Sequence, residues 1–400
     1  MSMSCGSETS SLGGPRPARP EELDAVVKLV DTVFRSKGPP LMKREFPQLF
    51  SPENASSLYI MLADGVPVSH IGVYEQYMRV GPATISTGCV GAVGTHPDHR
   101  KKGYAGATLA CAIHTMRSHG VVLMPVSGGR SLYTRAGCAT VGRAYGQKRS
   151  ADELAPLICD RYRIEPWDEK HLPDLLALHQ MEPVRYEWPP HVIALVISES
   201  LATSCSAFVA LADEQLVGWV LIRHFGPMAH YGEGVGRLID YVGVRDAVWS
   251  AVVAGMKAVG LHTLQLSVPF HDTASLLLLK SHDLKGEPGG IGGTYKIVDL
   301  VGLVEALTPY LLDRLTLEEW TDLSIESAGV VEDAQFISDK VRFAYGDEEL
   351  VVEDPLVAAQ VIFSPAEDWA DKVGEVPAGL AGVLARIFPV PLPPYGINYI

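Results

Sequence analysis

The chain repeats itself, and that limits what it can fold into. Residues 17–34, PARPEELDAVVKLVDTVF, lead into 57–77, SLYIMLADGVPVSHIGVYEQY; residues 162–179, YRIEPWDEKHLPDLLALH, lead into 206–225, SAFVALADEQLVGWVLIRHF. Leu23, Val26, Val27 and Val30 in one copy, and Leu172, Leu175, Leu176 and His179 in the other, recur at helical spacing. Each helix precedes two apolar strands joined by a turn, Ala63-Asp64-Gly65 or Ala212-Asp213-Glu214. Each copy continues with a further apolar strand, a long helix ended by a glycine (Gly120 or Gly260) and another strand. The chain is thus built on two copies of one α/β unit.

The copies differ at one place. The first inserts HPDHRKKG between strand and helix, and the second has no such loop. A loop in that position is where a cofactor binds, so the second copy reads as a degenerate unit kept for structure. From about residue 300 the pattern changes to a helix at 303–315, short strands at 321–326, 336–345 and 349–354, and two further helical stretches. This is a small α+β unit. The tail, FPVPLPPYGINYI, cannot be helical because Pro recurs at short intervals, and its apolar residues predict that it lies across the protein. The first residues, rich in Ser, Gly and Pro, read as a disordered leader over 1–14 without a signal-peptide pattern. The resulting division is 1–14, 15–152, 153–299 and 300–400.

Composition excludes several functions. The formal net charge of −14 argues against nucleic-acid binding, which needs basic patches, and tilts toward cationic small substrates. No apolar run approaches the length of a membrane span. The cysteines (Cys5, Cys89, Cys111, Cys138, Cys159, Cys205) form no CxxC pair and no metal spacing, which fits reduced thiols in a cytosol and no metal cofactor.

The chemistry-bearing segment is 90–109. An apolar strand ends at Val93-Gly94-Thr95. Arg100-Lys101-Lys102-Gly103-Tyr104-Ala105-Gly106 follow, and then an amphipathic helix over 107–118. Gly103 permits close backbone approach, and inward N–H groups at a helix start form an anion nest supplemented by the basic side chains. Neither a dinucleotide fingerprint nor a P-loop is present. R-x-x-G-x-A after a strand resembles motif A of the GCN5-related N-acetyltransferases. The whole chain is similar to the Eis (enhanced intracellular survival) acetyltransferases within that family.

That resemblance implies two tandem acetyltransferase-like α/β domains, each a mixed sheet flanked by helices, and a C-terminal α+β domain of sterol-carrier-protein-like fold. It implies acetyl-CoA held by Val93, Gly94 and Thr95, by Arg100 to Gly106, and by Gly128 and Gly129. It implies a tyrosine proton donor in the segment GGRSLYTRAGCATVG, which is Tyr133, although the glycines stand further from the tyrosine than in the family pattern. The family's C-terminal carboxylate acts as base, which here is Ile400. A trimer or hexamer is implied as well.

The residues alone suggest further candidates. Glu75 and Tyr77 are placed to face an acceptor amine. Phe34, Glu45 and Phe46 are candidates to line its pocket, with core packing the stronger expectation for the phenylalanines. His96 and His99 are expected on the loop surface. The function so implied is direct acetyl transfer to a primary amine of a cationic small molecule, of the aminoglycoside or polyamine kind. Transfer to protein lysine, and non-catalytic binding of CoA or lipid, are the alternatives.

Overall fold

The computed structural model describes residues 11–333 and 336–398, with the side chains of 328–339 excepted. Residues 1–10 of the expected leader, together with Tyr399 and Ile400, lie outside the described residues. Residues 12–14, expected in the leader, belong instead to a strand. Leu12–Pro17 form strand β1, paired antiparallel with β2 (Leu58–Ala63), because the glycines and prolines there sit at a sheet edge that tolerates missing donors.

Four more strands complete the main path of the first sheet: β3 (Val66–Val80), β4 (Ala83–Thr95), β5 (Leu123–Val126) and β14 (Thr294–Ile297). Their order is β1–β2–β3–β4–β5–β14. A short strand, β8 (Val184–Tyr186), adds to the end of β3. The second sheet is built from β6 (Ala144–Ser150), β7 (Arg163–Pro166), β9 (Cys205–Ala212), β10 (Gln215–Arg223), β11 (Val235–Gly243), β12 (Thr263–Pro269) and β13 (Glu287–Gly289). Its order is β13–β6–β12–β11–β10–β9–β7. In each sheet one neighbouring pair is parallel, β4 with β5 and β11 with β12; the remaining pairs are antiparallel. The duplication read from the sequence is therefore a duplication of sheet topology.

The two sheets trade strands. β6 precedes the second copy in sequence and adds to its sheet through seven register pairs, from Ala144 opposite Pro269 to Ser150 opposite Thr263. β14, at the end of the expected second unit 153–299, adds instead to the first sheet beside β5. Each unit thus carries a strand from beyond its own repeat, which ties the two together through backbone hydrogen bonds.

Helices cover the sheets as their periodicity demands. The helix Leu23–Phe34 buries Leu23, Val26, Leu29 and Val30. The helix Tyr104–Ser118 buries Leu109, Ala112 and Met116 against Val73, Val90 and Val126. It approaches β4 so closely that a Cβ at Gly88 would come within 2.3 Å of Met116 Sδ. In the second copy the helix Arg245–Ala258 starts one residue after β11, so the loop expected to be lost is absent.

Beyond residue 300 the helix Leu300–Leu312 leads into a three-stranded antiparallel sheet of β15 (Leu323–Asp333), β16 (Phe336–Tyr345) and β17 (Glu348–Val352). The expected strand at 321–326 begins later, because a capping box from Thr316 to Glu319 starts a short helix, Leu317–Asp322. The helices Pro355–Phe363 and Ala378–Ile387 pack on this sheet. The tail then runs extended to Tyr395 and closes in a single 3-10 turn, Gly396–Asn398, where proline no longer recurs; Phe388, Val390, Leu392, Tyr395 and Ile397 are buried, as its composition predicted.

Candidate active site

β4 enters the site through a break in its ladder. His70 pairs with Gly94 but Gly72 pairs with Gly91, so one extra residue is accommodated on β4. Ala92 takes φ 49°, a left-handed conformation unusual for alanine. The His70 ring supports it: Nδ1 lies 2.9 Å from the Ala92 carbonyl oxygen. Burial pushes the His70 imidazole down to about 4, so the ring is neutral and donates from Nδ1. On the other edge, β4 pairs in parallel with β5 as far as Val90 opposite Val126, followed by Ser127 N–H donating to the Val90 carbonyl at 3.3 Å. Bulges of this kind re-aim a strand beside a site.

A cavity of about 550 Å³ opens at this point. Its lining includes Gly91, Ala92 and Val93 of β4, Ser127 and Gly128 after β5, and Tyr133 of the short helix Ser131–Arg135. Gly128 packs tightly beside the tyrosine, since a Cβ there would stand 3.2 Å from the ring. Phe34 and Phe46 line the cavity as well, and Phe46 is also buried in the core. The second sheet contributes Arg223, Arg237, Leu238, Ile239 and Ser267, and the tail contributes Pro394, Tyr395 and Gly396. The cavity therefore lies where the two copies and the tail meet.

The motif loop stands outside this lining. Lys101 (φ 62°) and Gly103 (φ 81°) are both left-handed, and Gly103 caps the helix Tyr104–Ser118. Such a turn directs N–H groups into one concavity at the positive end of the helix dipole. The side chains of Arg100, Lys101 and Lys102 are exposed, so their charge is available to an anion. Thr95 exchanges a hydrogen bond with Ser69 Oγ at 2.9 Å. Gly94 packs against Val33 and Phe34, while Gly129 is exposed beside the cavity.

Some expected residues are not at the site. Glu75 is bound to His119 Nδ1 at 2.9 Å, and Tyr77 is 58% exposed; neither lines the cavity. Both lie on the part of the long β3 strand that runs past the bulge. Glu45 is turned onto Arg35 in a buried ion pair rather than toward a ligand. His96 and His99 lie half-exposed on the loop, with ring centroids 6.0 Å apart. Ile400 lies outside the described residues. Among the described residues, no group of three His, Cys, Asp or Glu could hold a metal ion, and no helix is long and apolar enough to cross a membrane.

The thiols near the site are protonated. Burial pushes Cys89 up to about 11 and Cys138 up to about 12. Charge in the cavity is one-sided. Arg35, Arg130, Arg223 and Arg237 line it, with no Asp or Glu among the described lining residues. Sequence reading missed Ala92 and the whole contribution of the second copy.

Comparison with known proteins agrees with this fold. Residues 15–141 match the acetyltransferase (GNAT) domain family. Solved structures similar over nearly the whole chain include a GCN5-related N-acetyltransferase from Anabaena variabilis, at 13% identity over 95% of this chain and 97% of that one, TM-score 0.65. A conserved protein from Enterococcus faecalis, described as a probable N-acyltransferase, is 12% identical over 96% and 98%, TM-score 0.67. Eis1 from Mycobacterium abscessus is 13% identical over 98% and 100%, TM-score 0.61. At these identities the likeness is one of fold. No curated protein sequence matches the chain.

Proposed function

We propose that this N-acetyltransferase carries acetyl from acetyl-CoA directly to a primary amine held in the cavity between its two large sheets. The observation that carries the reading is the meeting of Tyr133, the bulged Ala92-Val93 backbone and Gly128 around one cavity, with a cationic helix-capping loop on the same strand.

The residues present fit acetyl-CoA. A Cβ at Gly103 or Gly106 would meet nothing within 4 Å, so the loop has the room that a close-lying pyrophosphate needs. Arg100, Lys101 and Lys102 and the backbone of 103–106 would hold the pyrophosphate. Val93, Gly94 and Thr95 would hold the pantetheine arm as an added strand, with Gly128 and Gly129 bordering it. When bound, acetyl-CoA supplies an acetyl group already activated as a thioester. Tyr133 holds a proton at its hydroxyl oxygen and gives it to the departing sulfur. Backbone N–H groups at the bulge offset charge developing on the carbonyl oxygen. The high values at Cys89 and Cys138 favour direct attack by the amine over a thiol-borne acetyl group.

The α-carboxylate of Ile400 is carried in this proposal as the group that deprotonates or positions the amine, and a short C-terminal extension tests it by lowering kcat. The reading also carries a cytoplasmic homo-oligomer, trimeric or hexameric, with a sterol-carrier-protein-like C-terminal unit. Thiol release from acetyl-CoA over a panel of amines tests the activity. Tyr133→Phe is expected to lower kcat about 10²-fold with acetyl-CoA affinity, read by calorimetry, unchanged. Normal turnover with weakened acetyl-CoA binding would overturn the donor role.

A further inference from the structure

The acidity of the whole chain pointed to a cationic acceptor, but the cavity itself is basic. Arg223 on β10 and Arg237 on β11 are direct partners across the antiparallel pair, and both line the cavity. Like charges directly opposite on neighbouring strands repel. Among the described residues neither guanidinium has a carboxylate within 4.0 Å, and Arg223 Nε is buried without a hydrogen-bond partner. Two guanidiniums on one wall, neither neutralised by a carboxylate, are a docking site for an anion, since their planar forks match carboxylate and phosphate oxygens. The chain carries 47 acidic residues against 33 basic ones, so a cavity whose charged lining residues, among those described, are all arginines is a local departure from its overall charge.

The anion is not the pyrophosphate of acetyl-CoA. That group is assigned above to the loop 100–106, none of whose residues lines the cavity. The cavity wall bearing the arginines belongs to the second copy, whereas Tyr133 and the bulge belong to the first. A molecule spanning the two would present its amine to Tyr133 and its anionic end to the arginines. We infer that the acceptor is a small amine carrying a carboxylate or phosphate group, and that Arg223 and Arg237 select it by binding that group. The degenerate copy thereby supplies the specificity of the intact one.

This inference rests on the acetyl-transfer reading, and the experiment keeps the two apart. Thiol release is measured with 6-aminohexanoate, phosphoethanolamine, hexylamine and 1,6-diaminohexane. One of the two anionic amines is expected to exceed both hexylamine and the diamine at least tenfold in kcat/KM, and which one does so identifies carboxylate or phosphate. In Arg223→Gln and in Arg237→Gln, the ratio of kcat/KM for that amine over hexylamine is expected to fall at least tenfold, chiefly through KM. Arg237→Lys should restore part of it. Calorimetry of coenzyme A against the same variants should be unchanged. A diamine turned over as well as the anionic amines, or a preference that survives both variants, overturns the inference; so does a loss of coenzyme A affinity in the variants. Should no amine release thiol, the acetyl-transfer reading fails. Calorimetric binding of 6-aminohexanoate and phosphoethanolamine to the coenzyme A-loaded protein, and its loss in the variants, then decides the arginine pair alone.

Discussion

Nδ2 of Asn398 donates a hydrogen bond to Sγ of Cys89 at 3.0 Å, joining the tail to β4. Its Oδ1 accepts from Gln76 Nε2 on β3. One residue earlier, the Ile397 N–H donates to Asp240 Oδ2 at 3.2 Å, on β11. Two consecutive residues therefore grip both large sheets, just past the segment that lines the cavity. Asn398 is 1% exposed, and a buried amide is tolerated only with such partners.

Asn398→Leu keeps the branched shape at a larger volume and leaves Gln76 and Cys89 without its amide. A loss of about 1–3 kcal/mol is expected, the usual cost of orphaned buried polar groups. Denaturant titration measures it. Hydrogen exchange over 388–398 should also quicken; unchanged exchange would show that the apolar anchors Phe388, Val390 and Leu392 hold the tail alone.

His70 gives the fold a dependence on acid. Its folded value of about 4 lies below the ordinary 6.5, with burial as the first cause and the Ala92 hydrogen bond opposing it. The unfolded chain therefore binds more protons between these values. The stability due to neutral His70 is fully present above pH 6.5 and is lost as pH falls toward 4, by up to about 3 kcal/mol. His70→Asn retains a donor for the Ala92 carbonyl and cannot titrate. Denaturation at about pH 7, 5.5 and 4.5 should show the wild type losing stability relative to this variant; parallel curves would remove His70 from the pH response.

Much of this was legible in the sequence, and what was not has a physical reason. The spacing of Leu23, Val26 and Val30 identified a helix because apolar periodicity is local. The helix expected over 107–118 was legible in the same way, but its start at Tyr104 was not: Gly103 was read for close backbone approach, and its left-handed cap is set by the turn before it. The tail was readable because proline excludes helix and apolar residues avoid water. The exchange of β6 and β14 was not readable: alternation marks a strand but does not name its partner. The facing of Arg223 and Arg237 was hidden for the same reason, since register joins them across a connection whose length does not set it. Ala92 carries no signal at all, because its left-handed backbone is imposed by His70 and the diverging strands around it.

Gly293 closes the cavity where β14 begins. It has φ 71°, and a Cβ there would meet the Val126 carbonyl oxygen at 2.1 Å and the Tyr395 ring at 3.0 Å. Backbone cannot move aside as a side chain does, so Gly293→Ala must displace residues 290–293 and the tail against them. A cost of about 1–3 kcal/mol is expected, with a raised KM for the amine and retained acetyl-CoA affinity. Gly65→Ala is the control: its φ of 78° brings strain, but a Cβ meets nothing within 4 Å. It should lose stability without any change in KM. Equal KM effects in the two variants would show that strain, not the position of the tail, is responsible.

Asp240 acts in the opposite sense to His70. Burial pushes its carboxyl up to about 6 from the ordinary 3.8, against two backbone donors, Ile397 and Tyr241, that favour the ion. Gly396 brings the tail onto it, since a Cβ there would stand 2.4 Å from Oδ2. A raised acid holds its proton in the folded state where the unfolded chain has released it. Its favourable contribution is therefore greatest below about pH 3.8 and declines as pH rises through 6, by up to about 3 kcal/mol. Asp240→Asn is neutral at all pH and can still accept from one of the two donors. Relative to the wild type, the variant should gain stability between about pH 5 and pH 8, read by denaturant titration at both. The tail carries Ile397 at this contact and Asn398 at the next, so exchange of 388–398 in the wild type should be faster at about pH 8 than at pH 5 once corrected for intrinsic rates. In Asp240→Asn that difference should vanish. Persistence of the difference in the variant would place the titrating group elsewhere on the tail.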